Sequence, residues 1–511
     1  MKKALALALA MILLLSAFPA LAEYDQHVNF TICSAHSNST MDYTSDELYK
    51  FFAEKFNYDF EVYPVAKDAQ DEKFRIWING GTMPDSVTWR NFKYQEYVNY
   101  AEQGLIASLP EGWEEKYPNL FWMVQKTGIY EKMKVDGLTY GIPHATFARF
   151  GNMETVVNHL SIYYRKDWAE KLGMEIGDKI TLDELAQYIR GCMDNDFAGN
   201  GNTLGLSASP DNMATLWMLF ANVKYDAFAK GEEGYLWSFT DPSVLEALKL
   251  ANDWYQKGLL DPDFYLQQSA DSINNFTSGL SSCLFYNCAI SSYATNKATF
   301  EQSTGLNSGE CMGITTIATN EGQARAIETN NWWSVTMFNP GIDAEVMDRL
   351  LAMMDYTCTE EGQLAVLLGV PEVNWTKGEN GETVILTPKK EDGTYPATVD
   401  LFNSYNIYRT EGILADDYSF INPANDPEVI AEVNAMYAVR QTGNIIPLDY
   451  DYEFFSSDSK ANFSLKMEDD VARLIITDPA QLESEYNSYI EQNKGIWEPV
   501  VEDLNAVYFA K

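Results

Sequence analysis

The residue patterns that support catalysis are mostly missing from this chain. No G-x-S-x-G and no H-E-x-x-H occurs, and His27, His36, His144 and His159 stand singly, so neither a serine-hydrolase elbow nor a zincin site is supported. The absence of any Gly-Lys dipeptide removes the P-loop, and with it that class of ATPase. Gly199-Asn200-Gly201-Asn202-Thr203-Leu204-Gly205 approaches a dinucleotide-binding loop, but it has one residue too many and follows an acidic stretch instead of a buried strand. With 74 acidic residues, carboxylate pairs of the glycosidase kind are available by number alone, so that chemistry stays open.

The same stretch has a second reading. Asp194, Asp196, Asn200 and Asn202 lie in an EF-hand-like spacing, with Gly199 at the sixth position. Ala198 offers no side-chain oxygen at position five, and Gly205 stands where a bidentate Glu belongs. A hard cation needs about six oxygens. The loop is therefore either a structural calcium site completed by main-chain carbonyls, water or distant residues, or a metal-free Asx/Gly turn. No cofactor is required.

Aromatic residues are more informative. Among 12 Trp, 31 Tyr and 26 Phe, several sit in polar, loop-like contexts: Trp89-Arg90-Asn91, Trp217, Asn330-Asn331-Trp332-Trp333 and Asn374-Trp375. Flat rings beside amides and carboxylates suit a neutral sugar, whose C–H faces stack while its hydroxyls bond polar groups. Core packing is the competing explanation for each single Trp.

The elements that must position these residues belong to an ordinary globular protein. The chain has 511 residues, 46% hydrophobic and 22% charged, and 36 basic against 74 acidic residues give a net charge of −38. Such a surface excludes a dominant basic patch and makes nucleic acid an unsuitable partner. Lys2 and Lys3, the apolar run Ala4 to Leu15 and Ala20-Leu21-Ala22 read as a signal peptide cleaved after Ala22, hence residues 1–22. No Cys follows directly, so no lipid-anchor signal is expected. The protein is then exported: extracellular or in the cell envelope, periplasmic in a Gram-negative one. Cys33, Cys192, Cys283, Cys288, Cys311 and Cys358 allow disulfides, with Cys283 and Cys288 nearest in sequence, or buried thiols.

Val28, Phe30 and Ile32 alternate as in a strand, and Phe60-Glu61-Val62-Tyr63 forms a second. Thr44-x-x-Glu47 predicts a capping box between them. A helix ending at Gly80-Gly81 leads to a short strand at Asp85-Ser86-Val87-Thr88. This alternation predicts a parallel α/β sheet. Thr181-x-x-Glu184 is a further capping box, while Asp241-Pro242, Asp426-Pro427 and Asp478-Pro479 are helix-start signals. Residues 375 to 395 read as a surface hairpin.

The order of motifs resembles the family 1 extracellular solute-binding proteins, the receptors of ATP-binding-cassette (ABC) carbohydrate importers. It is most similar to their longer branch, which includes alginate-oligosaccharide-binding proteins. The G-x-x-P-D turn appears as Gly81-Thr82-Met83-Pro84-Asp85, and D-G-x-x-Y-G-I-P as Asp136-Gly137-Leu138-Thr139-Tyr140-Gly141-Ile142-Pro143. Arg165-Lys166-Asp167-Trp168 with Leu172-Gly173, the acidic loop Asp194 to Gly205, and Trp254-Tyr255 through Gly258-Leu259-Leu260-Asp261-Pro262-Asp263-Phe264 follow in the same order. Phe276-x-x-Gly279 and Thr359-Glu360-Glu361-Gly362 complete a likeness across about 280 residues; the last hundred match loosely.

The resemblance implies an α/β, two-lobed periplasmic-binding-protein-like fold of type II, with ligand held in a cleft between lobes joined by hinge strands. Crossings are expected at 140–143 and 315–319. Lobe one is then 23–142 plus 320–420, and lobe two 143–319 plus 421–511. Ligand-binding residues are expected at His36, Ser37, Asn38, Asp85, Trp89, Arg90, Arg149, Trp217, Asn287, Trp332 and Trp333. Of the adjacent Trp332 and Trp333, one is expected in the core and the other facing ligand, because successive strand residues point to opposite faces. The implied function is a monomeric receptor that captures an oligosaccharide and delivers it to ABC transporter permease subunits, without catalysis. A secreted glycosidase or lyase is the alternative from another class. A sugar sensor presenting ligand to a signalling partner is the third.

Overall fold

The computed structural model describes residues 24–34, 37, 41–66, 69–90, 93–146, 156–391, 393–411 and 424–509. His36, Asn38 and Arg149, like the signal-peptide segment, lie outside the described residues. The described residues form two compact units, one within residues 24–146, 332–411 and 424, the other within residues 156–331 and 425–509.

The first unit is built on five strands: β1 (Val28–Cys33), β2 (Tyr58–Val62), β3 (Ser86–Trp89), β4 (Gly141–Ala145) and β5 (Trp332–Phe338), in spatial order β2-β1-β3-β5-β4. β1 pairs in parallel with β2 and β3, while β5 runs antiparallel to β3 and β4. Alternation in β1 buries Val28, Phe30 and Ile32. Helices 47–56 and 344–357 supply Leu48, Phe52 and Leu350 to the same core. Phe52 stacks on Tyr408 at 4.0 Å between centroids.

Local signals hold with two corrections. Helix 47–56 is capped by Asp46, whose carboxylate accepts from Tyr49 N at 2.9 Å. The expected cap, Thr44, instead bonds Asp42 through its own N–H and hydroxyl, since a carboxylate nearer the first turn is the stronger acceptor. Asp478 bonds Ala480 N, but the helix begins only at Leu482. Thr181, Asp241 and Asp426 cap as expected, and Thr181 with Glu184 completes the reciprocal box. Strands 375–377 and 383–385 form the expected hairpin.

The second unit holds a five-stranded sheet in the order 179–181, 312–318, 160–165, 281–287, 204–207, with 160–165 antiparallel to both neighbours. Strand 325–327 pairs in parallel with 444–446. That pairing ties residues 320–331 to the second unit, so the boundary expected near 319 lies at 331/332. Trp217, Trp237, Trp254, Phe239 and Tyr486 are buried in this unit's core. All six cysteines are buried, and no bridge joins Cys283 to Cys288. Among the described residues no helix is long and apolar enough to cross a membrane.

Candidate functional site

In the first unit, one edge of the sheet gathers the polar and aromatic residues. The parallel strands β1, β3 and β4 end there with Cys33-Ser34, Trp89-Arg90 and His144-Ala145, and antiparallel β5 begins there with Trp332-Trp333. In the order β2-β1-β3-β5-β4 the chain leaves β1 towards β2 and leaves β3 towards β4 on the other side, and ligands of open α/β sheets bind outside the carboxyl ends at such a divergence.

Trp332 and Trp333 sit on an irregularity. Trp332 pairs with Ala145 and Ser334 with His144, so Trp333 is an extra residue in β5. A bulge of this kind bends the strand and re-aims side chains. Both indoles are consequently half-buried, in place of the expected split into one core and one surface ring. The Arg90 guanidinium lies over the Trp333 ring at 5.6 Å. The imidazole of His144 meets the same ring nearly edge-on, with centroids 5.7 Å apart and planes 70° apart.

His144 is fully buried, and burial pushes its pKa down to about 3, so the ring is neutral at physiological pH. Its Nε2 bonds the Thr336 hydroxyl at 2.7 Å, which in turn bonds the Thr88 hydroxyl at 2.8 Å. This row crosses β4, β5 and β3 on one face, since Thr88 and Thr336 are register partners. Sequence reasoning passed over all three residues. The available signal was position: His144 directly follows the Tyr140-Gly141-Ile142-Pro143 motif.

Other expected ligand residues stand elsewhere. Trp89 ends β3 at this edge, yet it is 1% exposed; its Nε1 donates to Asp71 Oδ1 at 2.7 Å, and Phe74 packs on it edge-on at 5.8 Å. Asp85 lies at the amino end of β3, where its carboxylate accepts from Thr31 N and Oγ1 at 2.7 and 2.8 Å and so clamps β1 to β3. Ser37 is buried in the turn after β1, donating to Ser34 O at 2.9 Å. The structure thus brings Arg90, Trp332 and Trp333 together, and commits Trp89 and Asp85 to holding the sheet.

In the second unit Trp217 is 1% exposed and packs edge-on against Trp254 at 5.7 Å, deep in the core. Helix 210–221 buries most of its surface, and an aromatic of that size fills the volume beneath it. Asn287 ends strand 281–287, partly exposed; its Oδ1 accepts from Ala289 N at 2.7 Å and its carbonyl from Tyr163 Oη at 2.5 Å. Strand 204–207 runs parallel to it, so Ser207 and Asn287 share that sheet's carboxyl edge. Behind this edge Asp261, 2% exposed, accepts from Ser207, Gln267 and Asn275 at 3.0, 2.8 and 3.1 Å.

The loop of Asp194, Asp196, Asn200 and Asn202 leads into the opposite, amino end of strand 204–207. It closes on itself. Asp196 accepts from Gly201 N at 2.8 Å and Thr203 Oγ1 at 3.0 Å, bonds that hold its pKa below the usual carboxylate range, led by the one from Gly201. Asn200 Oδ1 accepts from Asn202 N at 2.8 Å. Gly205 has a steric reason: a Cβ there would meet the Leu259 carbonyl oxygen at 2.1 Å, so no Glu can stand at the twelfth position. Among the described residues no three acidic, His or Cys side chains converge. As arranged, these donors do not fit a six-oxygen cage.

This architecture defines a class: the two-domain α/β fold of solute-binding proteins. It matches the alginate-binding protein AlgQ2, in a crystal structure without calcium ion, with a TM-score of 0.69 at 16% identity, over 95% of this chain and 99% of that one. It also matches the substrate-binding protein FusA of Streptococcus pneumoniae in complex with kestose, with a TM-score of 0.66 at 15% identity, over 92% and 96%. An EF-hand mutant of FusA has the same fold. In sequence the chain is similar to the fructooligosaccharide ABC transporter substrate-binding protein FusA of S. pneumoniae serotype 4, 25% identical over 207 residues, 38% of each chain. It is also similar to lipoprotein LipO of Bacillus subtilis strain 168, 24% identical over 225 residues, 40% of this chain. The matched stretches span only 39% of LipO and 38% of FusA. No family model matches the chain.

Proposed function

We propose that this protein is an exported receptor that binds an oligosaccharide and hands it to the permease of an ABC importer. One observation carries the reading: two adjacent indoles, Trp332 and Trp333, stand half-buried on a bulge at the carboxyl edge of the first unit's sheet, with Arg90 beside them. Flat rings with a donor-rich neighbour are the chemistry that holds a neutral sugar. The names of the similar proteins, an alginate binder and a fructooligosaccharide receptor, support an oligosaccharide ligand, and the second of them a neutral one. The protein carries out no chemistry and acts as a monomer. In the second unit Asn287 is a separate candidate.

The test is isothermal calorimetry and melting curves against fructooligosaccharides and alginate oligosaccharides, each sugar also incubated with the protein and assayed for new reducing ends or unsaturated products. A ligand at 100 times its Kd should add about 2.7 kcal/mol of stability. Cleavage of any sugar would replace the receptor with a secreted glycosidase or lyase. Binding without import in a permease-deleted strain is expected; import that persists there would favour the sensor reading.

Export rests on the signal peptide read at residues 1–22, and N-terminal sequencing of secreted protein should begin at Glu23. Structural calcium at Asp194, Asp196, Asn200 and Asn202 is the finer part of the proposal; it is suggested by the calcium and EF-hand descriptions of the similar proteins. It requires Asp196 to give up its bonds from Gly201 and Thr203.

A further inference from the structure

We propose that His144 is a positioning residue: held by the hydroxyl row Thr336–Thr88, it fixes the plane of the Trp333 indole. The inference deepens the sugar-binding reading of the Trp332–Trp333 edge and rests on it for its functional meaning. Trp333 is the extra residue of a bulge, where strand register does not by itself set the direction of a side chain. Its ring has Arg90 over one part, through a long and flexible side chain. The edge-on contact with His144 is a rigid one, because that imidazole is fully buried and bonded at Nε2.

Three features make the row a positioning device instead of general packing. His144 lies on the edge strand β4, which among the described residues pairs with β5 alone. Thr336 and Thr88 are buried hydroxyls on a β-sheet face that apolar side chains would fill at lower cost in unsatisfied polarity. Their bonds to each other and to Nε2 set the rotation of the imidazole about its own axis, and that rotation decides which edge Trp333 meets. A stacking ring of fixed orientation loses less freedom on binding, and preorganisation of this sort raises affinity without adding a contact to ligand.

The test begins without ligand. The mature chain is labelled with 5-fluorotryptophan and its fluorine spectrum recorded; Trp333→Phe assigns one of the 12 tryptophan resonances. In the parent, Trp333 should give one sharp line. Thr336→Val keeps shape and removes the hydroxyl, and His144→Ala removes the ring. Both should broaden, split or shift the Trp333 line while leaving the buried Trp89 line in place. A Trp333 line unchanged in both variants overturns the inference. A change in His144→Ala alone overturns the hydroxyl row.

Affinity is measured next, with the tightest sugar of the panel. Thr336→Val should weaken binding at least about fivefold in the parent and leave it unchanged in the Trp333→Ala background, the signature of coupling. Equal losses in both backgrounds count against the inference. If Trp333→Ala itself leaves affinity untouched, the sugar-binding reading of this edge fails, and the fluorine spectra still decide whether His144 positions the ring.

Discussion

Trp333 meets His144 edge to face, centroids 5.7 Å apart and planes 70° apart, where β5 carries one residue more than β4 opposite it. The contact joins a half-buried aromatic to a buried hydrogen-bond row reaching Thr88 on β3. The ring is thereby referenced to three strands of one sheet, as the proposed role in binding requires.

Burial of His144 makes stability depend on pH. Its folded pKa, about 3, lies below the ordinary value near 6.5, so below pH 6.5 the unfolded chain binds a proton that the folded one does not. Stability should therefore fall with acidification between about pH 6.5 and pH 3, by up to ~1.4 kcal/mol per pH unit from this residue. His159, lowered to about 3 by burial and then by Arg440, acts in the same direction. Urea unfolding of parent and His144→Phe across this range should give a flatter profile for the variant; identical profiles would refute the assignment.

Tryptophans should sort into two groups. Trp89→Ala and Trp217→Ala each empty a core site and should cost about 3–5 kcal/mol of stability. Trp332→Ala and Trp333→Ala should melt near the parent and lose at least about tenfold in sugar affinity, ~1.4 kcal/mol. Melting curves beside calorimetry decide this. A Trp217→Ala protein of parental stability would contradict its core placement.

Asp261 is a buried carboxylate that gathers three side-chain donors on Oδ2. Asp261→Ala leaves Ser207, Gln267 and Asn275 short of an acceptor and should destabilise the second unit by about 3 kcal/mol. Denaturant titration with a probe in that unit measures it; a change under about 0.5 kcal/mol would show that the donors find other partners.

Asp196 closes its loop at the amino end of strand 204–207, away from Ser207 and Asn287 at the carboxyl end. Chelation by EDTA should leave sugar binding unchanged, and Asp196→Ala should lower the melting midpoint without changing affinity. Loss of binding on chelation, at a temperature where the chain stays folded, would move a cation into the ligand site. A calcium-dependent rise in midpoint that vanishes in Asp194→Asn would place calcium in the loop.

Much of this protein was legible from order along the chain. Alternation at Val28, Phe30 and Ile32, the cap at Thr181 and the Asp-Pro starts at 241 and 426 are local, and backbone geometry with nearest-neighbour hydrogen bonds settles them. The motif order from Gly81 to Gly362 carried the resemblance from which the fold class was expected. Tertiary structure decided what spacing cannot encode. Residue type makes Trp89, Trp217 and Trp333 equivalent; only burial against Asp71, Trp254 or His144 separates them. Gly205 became intelligible only against the Leu259 carbonyl, and the unit boundary at 331/332 only through the pairing of 325–327 with 444–446. The bulge at Trp333 exists because β4 and β5, almost two hundred residues apart, pair with one residue unmatched, and local sequence holds no record of its distant partner's register.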